Sequence, residues 1–174
     1  MKIAIISDSH DNLPNIEKAI KYINKQKIST IIHCGDVCAP VILGEFAKLF
    51  KGKEIHVVKG NVDGDIEGFK VMEKKYPKII YHGNTGKLEI GNLKLGKGKL
   101  ILTFCHEPFV AKKMAEAQKY DFVFHGHTHK PWQEKVGNTT IINPGTLAGL
   151  FNKGTFAIFD TETQKAQLIL LEKI

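Results

Sequence analysis

Residues 2–7 form a short, Ile-rich apolar run with polar residues on either side, the pattern of a strand buried on both faces. Pro14 stands where a helix would begin, with Asn12 as its cap. Ile16, Ala19, Ile20 and Ile23 then recur at helical spacing. A second β-branched run, 30–33, leads into Gly35-Asp36. Pro40 opens another helical stretch with Val41, Phe46 and Leu49 apolar, and residues 54–58 make a third strand that ends at Gly60-Asn61. A weaker helix is expected over 66–75, stopped by Pro77. This β-α-β-α-β order predicts a parallel sheet with crossover helices.

The middle of the chain changes character. Between 79 and 102 short apolar runs are cut by Gly83, Gly86, Gly91, Gly96 and Gly98. Gly91-Asn92, between Leu88-Glu89-Ile90 and Leu93-Lys94-Leu95, predicts a hairpin turn. Residues 99–105 read as a longer strand leading to His106, residues 108–119 as a helix, and residues 122–124 as a buried strand ending at Gly126-His127. The tail, 140–143, 154–159 and 166–171, reads as a β-meander. The expected fold class is α/β, with a mixed or two-sheet core and one domain over residues 1–174.

Composition narrows this. At 174 residues, 43% hydrophobic and 25% charged, the chain has globular values that exclude fibrous and disordered classes. No apolar run approaches the roughly 20 residues of a membrane span, and the N-terminal run is too short for a signal peptide. A cytoplasmic protein with no membrane partner is expected. The formal charge is +7, and all 25 basic residues are Lys. Without Arg, any phosphate must be held by Lys, backbone N–H groups or metal. The Lys residues are spread out, so nucleic acid is a permitted partner but not a favoured one. Cys34, Cys38 and Cys105 have neither disulfide-framework nor zinc-ribbon spacing and read as small apolar residues.

The strand map gives the polar residues their meaning. Asp8 and His10 follow the first strand, Asp36 the second and Asn61 the third; His106 follows 99–105, and His127 and His129 follow 122–124. Open α/β sheets gather ligands at the carboxyl ends of their strands, so five segments should converge. Two carboxylates, four imidazoles and one carboxamide exceed one tetrahedral metal site. They suit two ions sharing a ligand, with Asp36 as the bridge offering one oxygen to each. Mixed nitrogen and oxygen donors favour Mn, with Ni, Fe, Co or Zn as other choices, over an all-oxygen Mg or Ca site. Such a pair commonly serves phosphate-ester hydrolysis. His33, His56 and His125, inside predicted strands, are expected in the core or behind the ligands, and His82 in solvent. Phe104, Phe109, Trp132 and Phe151 are expected in the core. Gly91–Lys97 matches the start of a phosphate-binding P-loop, but Gly98 stands where that motif needs Ser or Thr.

Asp8-x-His10, Gly35-Asp36, Gly60-Asn61, His106 and Gly126-His127-Thr128-His129, with Ile142-Asn143-Pro144-Gly145 after them, resemble the calcineurin-like metallophosphoesterase superfamily, in its small single-domain phosphodiesterase branch. The resemblance implies two mixed β-sheets packed as a sandwich flanked by helices. It implies one metal on Asp8, His10, Asp36 and His129 and another on Asp36, Asn61, His106 and His127, with Asp36, Asn61 and His10 at the catalytic centre. A hydrolase acting on a small phosphate diester, capable of oligomerising, is the expectation. Two features depart from the family. Many relatives carry a proton-donating His where this chain has Val62, and this branch tends to have Gly where Glu107 follows His106. The same fold also serves as a protein-interaction scaffold in a retromer subunit, and repair nucleases share these motifs, so a scaffold and a nuclease are the alternative readings.

Overall fold

The apolar runs become strands whose two faces are both covered. In the computed structural model, which describes residues 1–91, 93 and 98–174, the elements are β1 (Lys2–Ile6), α1 (Leu13–Lys25), β2 (Thr30–His33), α2 (Pro40–Leu49), β3 (Glu54–Val57), α3 (Ile66–Lys75) and β4 (Ile79–Tyr81). They continue with β5 (Thr85–Gly91), β6 (Lys99–Cys105), α4 (Pro108–Glu116), β7 (Phe122–Phe124), β8 (Trp132–Val136), β9 (Thr139–Asn143), β10 (Thr155–Asp160) and β11 (Lys165–Leu170). Asn12 caps α1 by accepting from the Asn15 backbone N–H at 3.2 Å.

Two mixed sheets result, in the orders β11-β10-β1-β2-β3-β4 and β5-β6-β7-β9-β8. Alternate residues of β1 face opposite ways. Ile3 and Ile5 join Ile32, Leu102, Phe104, Phe124 and Phe159 in the core between the sheets. Ala4 and Ile6 instead pack under α1 and α2 with Ile16, Ile20, Leu43 and Phe46. Helix α4 covers the far face of the second sheet through Ala111 and Ala115 against Val123 and Ile141. Burying each such Ile or Phe contributes on the order of 1.5–3 kcal/mol, so the pleat decides which layer each strand residue stabilises.

The expected sandwich is present, with three local corrections. The tail is not one meander: β9 pairs in parallel with β7 in the second sheet, whereas β10 and β11 extend the first. Strand β8 was not anticipated, because its sequence is polar and its residues are mostly exposed. Leu88 pairs with Leu102 rather than with the Leu93–Leu95 side of a tight hairpin. The Gly91-Asn92 turn and most of the P-loop-like stretch lie outside the described residues.

Candidate metal centre

Strands β1, β2, β3, β6 and β7 deliver seven polar side chains past their carboxyl ends. The backbone there is unusual: Asp8, His10, Asp36, His127 and His129 have φ of 53°, 39°, 57°, 70° and 57°, a left-handed region costly for residues with a Cβ. The neighbouring glycines allow close approach. A Cβ on Gly60 would collide with the backbone N and Oδ1 of Asp36, and one on Gly126 would collide with Ser7 and Asp8. The Gly of Gly-Asn and of Gly-His is therefore a steric requirement of the site.

Asp8, His10, Asp36 and His129 each place a ligand atom within 4.8 Å of the others. His129 Nε2 lies 3.3 Å from Asp8 Oδ1, and His10 Nε2 lies 3.2 Å from His129 Nε2. The His129 Nδ1–H donates to the Leu150 carbonyl at 3.2 Å, so in the neutral ring Nε2 carries the inward lone pair. In a second group, Asn61 Oδ1 lies 2.8 Å from both His106 Nε2 and His127 Nδ1, which are 3.3 Å apart. The His106 Nδ1–H donates to the Cys34 carbonyl at 2.8 Å, which again turns Nε2 inward as an acceptor.

Asp36 lies between the groups. One oxygen, Oδ2, is 3.8 Å from His10 Nε2 and 3.4 Å from His106 Nε2; the other, Oδ1, accepts the Val62 N–H at 3.1 Å. A single oxygen thus faces both groups, rather than one oxygen for each. Beneath it, buried Asp63 accepts the backbone N–H groups of Asp36, Gly60 and Cys38 at 3.0, 2.7 and 2.7 Å. That carboxylate ties the β2 and β3 loops together and so orients the site.

The donor set fits divalent cations. Converging lone pairs at 2.8–3.3 Å repel unless a proton or a metal ion lies among them. The titration shifts show the same demand for positive charge. Burial raises the Asp8 carboxyl above its usual range, against the opposing Ser7 hydrogen bond and the nearby His106 and His129. Burial would also raise Asp36, but its hydrogen bond and charge interaction with His106 outweigh this and hold it low. Burial disfavours charged His106, yet Asp36 and Asp8 raise its pKa overall. Such polarised pairs mark functional sites.

Three aromatic expectations are corrected. Phe104 is buried, but Phe109, Trp132 and Phe151 are 61%, 55% and 94% exposed. His82 is half-buried, with Nε2 2.9 Å from His56 Nδ1, rather than in solvent. Cys38 is only partly buried, and its Sγ sits 3.5 Å from His10 Nδ1. Sequence reading also missed supporting groups. Asn143 Nδ2 donates to the Gly126 carbonyl and to Thr128 Oγ1 at 2.8 and 3.0 Å, fixing the β7 loop. Thr146 Oγ1 donates to the Asp8 carbonyl at 3.0 Å. Asn143-Pro144-Gly145 was the available signal, since Asn before such a turn bonds to local backbone.

Residues 1–164 match the calcineurin-like phosphoesterase superfamily domain. The chain belongs to that superfamily. Among its members, the phosphodiesterase MJ0936 of Methanocaldococcus jannaschii is 36% identical over 173 residues, covering 99% of this chain and all of that protein. The solved structure of an archaeal phosphodiesterase superposes with a TM-score of 0.83 at 34% identity, covering 98% of this chain and 99% of the other. Zinc-bound Vps29 from Entamoeba histolytica shares the fold, with a TM-score of 0.66 at 17% identity and coverage of 98% and 99%.

Proposed function

We propose that this superfamily member is a phosphodiesterase that hydrolyses a small phosphate diester with two divalent ions, Mn first among the candidates. The observation that carries the reading is the single Asp36 oxygen facing both donor groups. Asp8, His10 and His129 would hold one ion with Asp36, and Asn61, His106 and His127 the other. When bound, the ions supply Lewis-acid polarisation of the phosphoryl group and a water of lowered pKa. The named phosphodiesterase relatives support the substrate class. We place the protein in the cytoplasm, as one catalytic domain over 1–174. Among the described residues, no helix is long and apolar enough to cross a membrane.

The chain's own contribution is positioning. The Cys34 and Leu150 carbonyls fix the tautomers of His106 and His129, so their lone pairs need no reorientation when ligands arrive. The Val62 N–H orients Asp36, but the Val62 side chain brings no proton to a departing oxygen. Metal content and hydrolysis of bis(4-nitrophenyl) phosphate, measured with Mn, Ni, Co, Zn and Mg in turn, test the reading. Turnover that follows the binding of two ions supports it. A protein that binds both ions and cleaves no mono- or diester is instead a scaffold of this fold.

A further inference from the structure

A cavity of about 280 Å³ opens beside the second donor group, lined by Lys59, Asn61, Asn84, Thr85, His106 and Glu107 among others. It is slightly smaller than the roughly 300–1,000 Å³ of drug-sized sites, so it suits one small substituent. One wall carries Asn61 and His106, two of the proposed ligands. The opposite wall is the turn between β4 and β5, locked to the site because the Lys59 backbone N–H donates to the Gly83 carbonyl at 2.7 Å. Asn84 on that turn and Thr85 at the start of β5 also line the cavity.

The charges lining this space are unequally matched. Glu107 has His127 opposite it, Oε2 to Nε2 at 3.8 Å. Lys59 is half-buried, and among the described residues no hydrogen bond or ion pair engages its ammonium group. In a chain without Arg, it is the uncompensated cation beside a centre built for phosphate esters.

We propose that this cavity is the subsite for the second ester arm of the substrate, and that Lys59 selects an arm ending in an anionic group, a carboxylate or a further phosphate. The proposal rests on the phosphodiesterase reading. It gives Glu107, where this branch of the family tends to have Gly, a place in the lining of the same subsite. A charge-assisted hydrogen bond from an ammonium is stronger than a neutral one, and a partly screened pairing weakens with salt.

The test uses pairs of 4-nitrophenyl diesters with one leaving group and near-isosteric arms ending in a carboxylate or a carboxamide, and a third ending in a phosphate. With the Mn-loaded protein, each anionic arm is expected to be favoured by roughly tenfold in kcat/KM, carried by KM and reduced at high salt. Lys59→Gln should bring the ratio close to one with Mn content retained, and Lys59→Arg should restore it. Equal use of all three arms by the native protein overturns the proposal, as does Lys59→Gln weakening the charged and neutral arms alike. A preference for the phosphate arm without one for the carboxylate arm narrows the class to phosphates. Binding of the same esters to the metal-free protein, followed through the amide resonances of Asn84 and Thr85, reads the subsite without turnover. If no diester is cleaved but the carboxylate-armed ester still binds better through Lys59, the subsite stands and the phosphodiesterase reading fails.

Discussion

The two donor groups of the centre are built differently. Asp8, Asp36 and His129 are buried, with only His10 partly open, and this group has two carboxylates. In the second group His106 is buried, but Asn61 and His127 are exposed, and the carboxylate added to shared Asp36 is the partly exposed Glu107, 3.8 Å from His127 Nε2. Negative charge in a drier place favours a firmly held cation. Donors beside open solvent suit a cation that exchanges and meets the substrate. On the proposed function, this strand-end edge would hold a structural position and a working position side by side.

Removing the shared group should break the comparison most severely. Asp36→Asn is expected to empty both positions and abolish turnover, weakening each ion by more than the roughly 10–100-fold that losing an outer partner costs. Elemental analysis after dialysis would show it, and retention of both ions with near-native turnover would remove Asp36 from its bridging role. Next, His106→Ala and His129→Ala should separate the positions. His106→Ala should leave one firmly bound ion and lose the weak one, whereas His129→Ala should convert the tight titration step into a weak one. Calorimetric titration with Mn resolves the two steps; identical isotherms would mean that the groups are equivalent.

Val62 sharpens the picture of the open side. General acid catalysis contributes about 10²–10⁴-fold, mostly for poor leaving groups. The native rate should therefore fall steeply as the leaving-group pKa rises, and Val62→His should flatten that dependence. A shallow dependence in the native enzyme would assign the proton to another group.

Stability rather than turnover tests the buried side. His33 is buried, with Nε2 3.0 Å from Oγ of Ser9, which lies between Asp8 and His10 in the chain, and among the described residues its Nδ1 has no partner. Burial drives its pKa from 6.5 down to about 3. The folded ring stays neutral where the unfolded chain takes up a proton, so stability is full above pH 6.5 and declines as pH falls from 6.5 toward 3. The slope from this group reaches about 1.4 kcal/mol per pH unit. Urea titrations of the metal-free protein should show it, and His33→Leu should flatten it.

Much of this was legible because apolar runs and their terminating residues are local signals. The parallel half, β1 to α3, follows from Ile-rich runs and from Pro14 and Pro40, and the seven polar residues follow from where those runs stop. What was illegible depends on distant partners. Strand β8 has no apolar pattern, since it is an edge strand that pairs with β9 alone among the described strands. The exposure of Phe109, Trp132 and Phe151 depends on which face each element presents, which hydrophobicity alone does not encode. The roles of the Cys34 and Leu150 carbonyls have no sequence signature, because every residue has a carbonyl.

The left-handed backbone at five of the site residues sets function against durability. Each costs on the order of 1–2 kcal/mol relative to a relaxed conformation, and the fold carries that load whether or not ions are present. Replacing Asp8 or His10 by Gly would relieve it while destroying the donor set, so the most heat-resistant variants of this protein should be found among its inactive ones. In the native protein the opposing force is ligation itself: ions that bind only the folded chain raise its stability in proportion to the logarithm of their concentration. Resistance to unfolding is then a property of the metal supply as well as of the sequence.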